Sequence, residues 1–312
     1  MNRDVLILSP DAEEYLPLLR ALTESGARVQ AAVSARQARE VYAGETVVLG
    51  QPDLVAASLE GMPQLRWVQS TWAGVAPLLG PQRRDFLLTG IRGVFGPQMA
   101  EYVFGQLLAI ELKLESRRER QRRREWWPAG SGVLQGRRLG IMGTGSIGRH
   151  IAVTGKAFGL RVTGYSRGGA PVDGFERVFA PGELAEFLAG PDYLVCVLPD
   201  TPETRRLLNE DRLRALSPDC VLVNVGRGSL IDEGALAAAL RRGDLRGAVL
   251  DVFRDEPLPA DSRLWDAPGL VLTAHVAAQS RPADIARSFL ANYNRYLAGE
   301  PLHDLIDFQR GY

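Results

Sequence analysis

The chain has 312 residues, 46% hydrophobic and 24% charged, with 37 basic and 37 acidic side chains that cancel. That length holds two ordinary domains with a sizeable core. Zero net charge gives no global field toward nucleic acid or a membrane surface, so neither partner is expected.

The N-terminus, MNRDVLILSPDAEEY, has too short an apolar run for a signal peptide, and no later run reaches the length of a membrane span. Three short runs follow that read as strands: DVLILS at 4–9, VVLG at 47–50 and RWVQST at 66–71. Polar, helix-compatible stretches separate them, and this alternation predicts a parallel sheet with helices on its faces. From Pro97 to Trp127 the chain carries few breakers. Its first half, MAEYVFGQLLAIELKL, has apolar residues at helical spacing, and it then turns into the arginine run ESRRERQRRREWWP. Segment 117–124 reads as a solvated helix face or a subunit-contact arm. Only Lys113 and Lys156 among the basic residues are lysines, so any single arginine weighs less as a signal.

After Gly136 a second series begins, with six near-continuously apolar strands: RLGIMG, RVTGYS, YLVCVLP, CVLVNVG, GAVLDVF and LVLTAH. Such strands are buried on both faces of a parallel sheet. The first leads into Gly143, Thr144, Gly145, Ser146, Ile147 and Gly148, a G-x-G-x-x-G turn between strand and helix. One glycine makes the tight turn, one lets backbone approach a pyrophosphate, and one lets helix pack on strand. The helix N-terminus offers its N–H groups to the phosphates. The next strand ends in GYSRGG, where such folds place an acid for the adenosine ribose. Ser166 removes that acid's repulsion and Arg167 offers a two-donor fork, which predicts NADPH (NADP) over NADH (NAD). Asp173 lies too far past the strand to serve the ribose well.

Cys196 and Cys220 are the only cysteines and sit in apolar runs, so they read as core residues. Neither a disulfide nor a metal site is expected, and a reducing cytoplasm suits the composition. Three polar residues at the ends of later strands stand out: Arg227 in NVGRGSLID, Glu256 in DVFRDEPLP, and His275 closing LVLTAH. Ligands of open α/β sheets bind beyond the carboxyl ends of the strands. Together the three supply what reduction of a 2-oxo acid needs. Arginine binds and polarises the substrate, histidine donates a proton, and a carboxylate orients the histidine. The other histidines, His150 and His303, read as solvated or locally bonded. RPADIARSFLANYNRYLAG closes the chain as one amphipathic helix, followed by the tail EPLHDLIDFQRGY.

These blocks, in this order, resemble the D-2-hydroxyacid dehydrogenases, from WAGV through GTGSIG, LPDTPETRRLLN, NVGRGSLIDEGALAAAL and GAVLDVFRDEPLP to LTAHVAAQSRPA. VAAQSRPADIA and the terminal RGY are similar to the glyoxylate/hydroxypyruvate reductase A subgroup. The resemblance implies an α/β fold with two Rossmann-like or flavodoxin-like domains, doubly wound on parallel sheets. The substrate-binding domain would comprise 1–97 and 282–312, with an NAD(P)-binding domain, 98–281, inserted into it. It implies Arg227 as substrate-binding catalytic residue, His275 as acid/base and Glu256 as its partner. Trp72, Ala73, Gly74 and Val75 would meet the substrate carboxylate. Leu198, Pro199, Thr204, Val225 and Gly226 would lie along the cofactor, and Asp251 would contact the nicotinamide amide. A homodimer through the 99–124 region is implied as well.

Ala274 stands where the family usually has proline, and Trp72 is bulky for its loop. Glu256 argues against formate dehydrogenases, which pair the histidine with glutamine. The tail after His275 is too short for the regulatory domain of many phosphoglycerate dehydrogenases. The expected activity is NADPH-dependent reduction of small 2-oxo acids such as glyoxylate and hydroxypyruvate. Two alternatives stay open: a dehydrogenase for a bulkier acid, with Trp72 and Trp126–Trp127 lining an apolar pocket or serving as plain core or interface residues, and a dinucleotide-sensing binding protein.

Overall fold

A computed structural model describes residues 3–80, 83–309 and 311. Of the terminal RGY, Arg310 and Tyr312 lie outside the described residues. The chain forms two compact units, Met1–Val94 with Ser280–Tyr312, and Phe95–Gln279. The second is therefore inserted in sequence into the first.

The first unit holds five strands: β1 (Val5–Leu8), β2 (Val29–Ala32), β3 (Val47–Gly50), β4 (Trp67–Ser70) and β5 (Leu87–Thr89). All pair in parallel in the order β2-β1-β3-β4-β5, which is the flavodoxin-like winding. β1, β3 and β4 are buried along their whole length. β2 and β5, absent from the sequence reading, are the two edges; β2 is largely half-buried and β5 has only three residues. Short edges carry a weak pattern. The C-terminal helix Pro282–Ala298 completes this unit. Its Phe289 stacks on Trp67 at 5.4 Å, and its Asn292 Nδ2 donates to Gln69 Oε1 at 3.1 Å. Both ring positions are fully buried, each stabilising the unit by about 1.5–3 kcal/mol.

The second unit holds seven strands: β6 (Arg138–Met142), β7 (Arg161–Tyr165), β8 (Arg177–Phe179), β9 (Tyr193–Cys196), β10 (Val221–Asn224), β11 (Gly247–Leu250) and β12 (Leu270–Leu272). Their order is β12-β11-β10-β9-β6-β7-β8, again all parallel. Counted from β6, this is the dinucleotide-binding winding 3-2-1-4-5-6 with a seventh strand added, and its switch point lies between β6 and β9. β8, a three-residue edge, also escaped the sequence pattern.

Helix Gly96–Glu111 buries Ala100, Val103, Phe104, Leu107 and Glu111 on one face, the spacing of an amphipathic helix. The helical run does not continue to Trp127 unbroken. Lys113 adopts φ 52° and ends the first helix, and a second spans Leu114–Arg122 with no buried side chain. Among the described residues no helix is long and apolar enough to cross a membrane.

Candidate active site

The GTGSIG turn follows β6 at the switch point. Gly143 has φ 111°, and a Cβ there would sit 3.0 Å from the Val197 carbonyl oxygen. A Cβ on Gly148 would sit 1.9 Å from the Gly143 carbonyl oxygen, so helix Ser146–Ala157 can leave the strand this closely only with glycine. Gly145 differs: no protein atom lies within 4 Å of a Cβ built there. Nothing in the chain itself crowds that position, as expected where an outside group approaches the backbone. Ser146 opens the helix and is exposed, while Thr144 and Ile147 are half-buried. These features fit a dinucleotide pyrophosphate.

Ser166 and Arg167 lie immediately beyond β7. The Ser166 hydroxyl accepts from the Gly169 amide at 3.2 Å, and its own amide donates to Phe179 O at 3.0 Å. The turn is thereby fixed, and it leaves Arg167 exposed. Asp173 is exposed in the following loop.

The loops after β9, β10, β11 and β12 carry the remaining candidates, on adjacent strands. Leu198 is buried and Pro199 exposed just past β9. The Thr204 hydroxyl donates to Pro199 O at 2.7 Å and accepts from Thr201 N at 2.9 Å, which shapes that loop. Past β10, Val225 is buried, and a Cβ on Gly226 would stand 3.0 Å from Leu198 O. Arg227 follows, half-buried, its Nη1 donating to Gly226 O at 2.6 Å. Burial pushes its guanidinium pKa below the ordinary value, against the charges of Asp200 and Glu256. It therefore senses the charge of the next loop's carboxylate.

Glu256 and His275 meet directly: His275 Nδ1 lies 2.8 Å from Glu256 Oε2. The other oxygen, Oε1, accepts from Phe253 N at 2.9 Å, so the carboxylate is anchored at one side and offered to the ring at the other. The His275 side chain is 53% exposed. His275 does not close β12 as the sequence reading had it. The strand stops at Leu272, and His275 sits three residues on with φ 56°. Thr273 N still donates to Leu250 O at 3.0 Å; beyond it Asp251 takes over, its carboxylate accepting from Thr273 Oγ1, Val276 N and Ala277 N at 2.5, 2.9 and 2.9 Å. Asp251 is itself only 1% exposed.

In the first unit, Trp72–Val75 follows β4. Ser70 Oγ donates to Trp72 O at 2.8 Å and accepts from Trp72 N at 3.0 Å, closing a tight turn. The amides of Ala73, Gly74 and Val75 donate to no other described residue. Trp72 is 37% exposed and Val75 buried. Trp127 packs beneath the cations of Lys113, Arg117 and Arg120, at 5.3–5.9 Å, while Trp126 is 95% exposed.

Several site residues escaped sequence reading. Asn224 is buried; its Nδ2 donates to Arg227 O at 3.0 Å and its Oδ1 accepts from Gly226 N at 3.1 Å. A polar residue inside the apolar run CVLVNVG was the available signal. Gly228 brings the Arg227 loop against the Glu256 loop: a Cβ there would sit 1.9 Å from the Phe253 carbonyl carbon. Asp200, near Arg227, accepts from Arg205 Nε at 2.9 Å and Ser229 Oγ at 2.8 Å. The Arg205 guanidinium, more than Ser229 or Arg227, holds its carboxyl below the usual range.

Residues 104–277 match the family model described as D-isomer specific 2-hydroxyacid dehydrogenase, NAD binding domain. Glyoxylate/hydroxypyruvate reductase A of Escherichia fergusonii is 36% identical over 217 residues, 70% of either chain. A solved D-isomer specific 2-hydroxyacid dehydrogenase family protein from Aeromonas salmonicida subsp. salmonicida superposes with TM-score 0.94 and 45% identity, covering 99% of this chain and 100% of that one. The NADPH-dependent glyoxylate/hydroxypyruvate reductase of Sinorhizobium meliloti, solved with NADP and sulfate, gives TM-score 0.87 and 29% identity over 99% of each chain. The fold, the order of the sequence blocks and these likenesses converge: the chain belongs to the D-isomer specific 2-hydroxyacid dehydrogenase family and is an NAD(P)-dependent oxidoreductase.

Proposed function

We propose that this enzyme reduces small 2-oxo acids, with glyoxylate and hydroxypyruvate as substrates and NADPH as the preferred cofactor. The observation that carries the reading is the Glu256–His275 pair at 2.8 Å, with Arg227 in the charge field of Glu256, in the same unit as the GTGSIG turn. When bound, the nicotinamide supplies a hydride to the carbonyl carbon.

The protein's own residues do the rest. Arg227 offers a planar pair of donors to the 2-oxo acid and draws electron density from its carbonyl. His275, held at Nδ1 by Glu256, presents Nε2 to the substrate oxygen and gives up the proton as charge develops there. Glu256 is kept from turning by the Phe253 amide. The amides of Ala73, Gly74 and Val75 are the donors we assign to the substrate carboxylate. Gly143–Gly148 take the pyrophosphate. Ser166 and Arg167 take the 2′-phosphate of NADPH, where an acid would repel it. Leu198, Pro199, Val225 and Gly226 form the wall along the nicotinamide half. A homodimer through helix 96–111 and the arginine arm is the assembly we assign, with the exposed Trp126 at its edge.

The test is kcat/KM for glyoxylate, hydroxypyruvate, branched-chain 2-oxo acids and phenylpyruvate, each with NADPH and NADH. The expected result is highest efficiency for the two small acids with NADPH. A maximum at phenylpyruvate would assign Trp72 to an apolar pocket and overturn the substrate class. No oxidation of either dinucleotide would overturn the reaction.

A further inference from the structure

His275 adopts a conformation that an L-residue rarely takes, φ 56°. From that backbone its ring reaches Glu256, Nδ1 to Oε2, at 2.8 Å. Asp251 supplies the hold: its carbonyl oxygen accepts from His275 N at 2.7 Å, and its carboxylate accepts from Val276 N and Ala277 N, both at 2.9 Å. One buried residue thus takes three consecutive amides.

The carboxylate is in turn fixed from the other side. Thr273 Oγ1 donates to Asp251 Oδ1 at 2.5 Å, and the Tyr102 hydroxyl lies 2.6 Å from Thr273 Oγ1. A threonine hydroxyl has one proton. Thr273 directs that proton at Asp251 in a hydrogen bond, so Tyr102 must be the donor in the second bond. Two lines of donors thus end on one carboxylate: Tyr102 through Thr273 from one side, and the amides of 276 and 277 from the other. It anchors the histidine loop to helix Gly96–Glu111, which carries Tyr102.

Ala274 shows why the chain of hydrogen bonds matters. Alanine leaves φ free just before the strained residue, whereas proline would fix it. Hydrogen bonds to Asp251 therefore take the place of that restraint. The Ala274 amide donates to no described residue, so a proline there would remove no bond.

We propose that Tyr102 and Thr273 are positioning residues for the reduction: through Asp251 they hold His275 in its left-handed conformation and its ring on Glu256. This rests on the reading of His275 as proton donor, and it adds two residues to that reading.

The experiment compares Thr273→Val, Thr273→Ser, Tyr102→Phe, Thr273→Val with Ala274→Pro, and His275→Ala, assayed with glyoxylate and NADPH. Thr273→Val is expected to lower kcat about tenfold, the scale of one lost hydrogen bond to a charged group. KM for glyoxylate and Kd for NADPH should stay within about twofold, as for an effect confined to the transition state. Thr273→Ser should recover most of the rate, and adding Ala274→Pro to Thr273→Val should recover at least half of the loss on a logarithmic scale. Tyr102→Phe, which removes one oxygen, should show the same kcat loss in smaller measure and covers the case in which Thr273→Val fails to fold. Wild-type kcat in both Thr273→Val and Tyr102→Phe overturns the proposal. So does an equal loss in Thr273→Val and Thr273→Ser, or a loss that Ala274→Pro leaves untouched. If His275→Ala retains near-normal turnover, the proton-donor reading fails instead, whatever the Thr273 variants do.

Discussion

Arg227 is fixed through its backbone as well as through its head group. Asn224 grips both sides of it, and Gly228 lets its loop lie on the loop of Glu256. A methyl group on Gly228 would fall 1.9 Å from Phe253 C and 2.1 Å from Phe253 O, backbone atoms that no rotamer change can move aside. Gly228→Ala is therefore expected to cost about 3 kcal/mol or more, the upper end of overpacking, read as a lower urea midpoint. The same displacement shifts the loop of Arg227 against the loop of Glu256, so kcat/KM for glyoxylate should fall as well. A variant with wild-type midpoint and turnover would show that the contact yields. Arg227 itself is tested by two substitutions. Arg227→Ala should raise KM and lower kcat together, because the proposed binding and polarisation are lost at once. Arg227→Lys keeps the charge without the two-donor fork and should recover only part of either.

Helix Gly96–Glu111 carries a buried acid on its apolar face, and this acid ties the helix to the sheet. Glu111 is 4% exposed; its Oε1 lies 2.6 Å from Arg246 Nη2 and accepts from the Tyr193 hydroxyl at 2.8 Å. Arg246 directly precedes β11 and Tyr193 opens β9, so one carboxylate joins a helix end to two strand starts. Removing one partner of such a pair leaves the others short of bonds, and Glu111→Ala should cost about 3 kcal/mol. For a unit of this size that lowers the melting midpoint by about 6–12 °C. Burial, with help from Glu111, pushes the Tyr193 phenol up to about 12. Folding thus favours the protonated phenol: its contribution is whole below the ordinary value of 10.0 and is lost as pH rises toward about 12. Tyr193→Phe should remove that part of the alkaline loss, which unfolding between pH 9 and about 12 would measure. None of this was legible in the sequence. The long apolar strands and the glycine turn announce themselves within a few neighbouring residues. Glu111 and Tyr193 lie 82 positions apart, and Tyr102 and Thr273 171, so no local pattern couples them. For the same reason β2, β5 and β8 were missed. Each is a short or half-buried edge whose place is set by its neighbour in the sheet, not by its own periodicity. The break at Lys113 was missed because no glycine or proline marks it.

At the scale of the whole molecule, one unit is inserted in sequence into the other. The second unit holds the GTGSIG turn, Ser166–Arg167 and the Arg227, Glu256, His275 set. Under the proposed function, cofactor binding and chemistry on that unit can be parted by mutation. A ligand that binds only the folded state stabilises it by about 2.7 kcal/mol at a hundredfold excess over Kd. In a unit of this size that raises the NADPH-sensitive melting transition by about 5–11 °C. NADH at the same concentration should raise it less, because its ribose carries no phosphate for Arg167. Arg167→Asp should reverse the order, since a carboxylate there repels a 2′-phosphate and accepts from a 2′-hydroxyl. His275→Ala should keep the full NADPH shift while losing turnover, because the role proposed for the imidazole is at the substrate oxygen and not at the phosphates. Equal shifts by both dinucleotides, in wild type and in Arg167→Asp, would remove Arg167 from the cofactor site and return it to the many surface arginines of this chain.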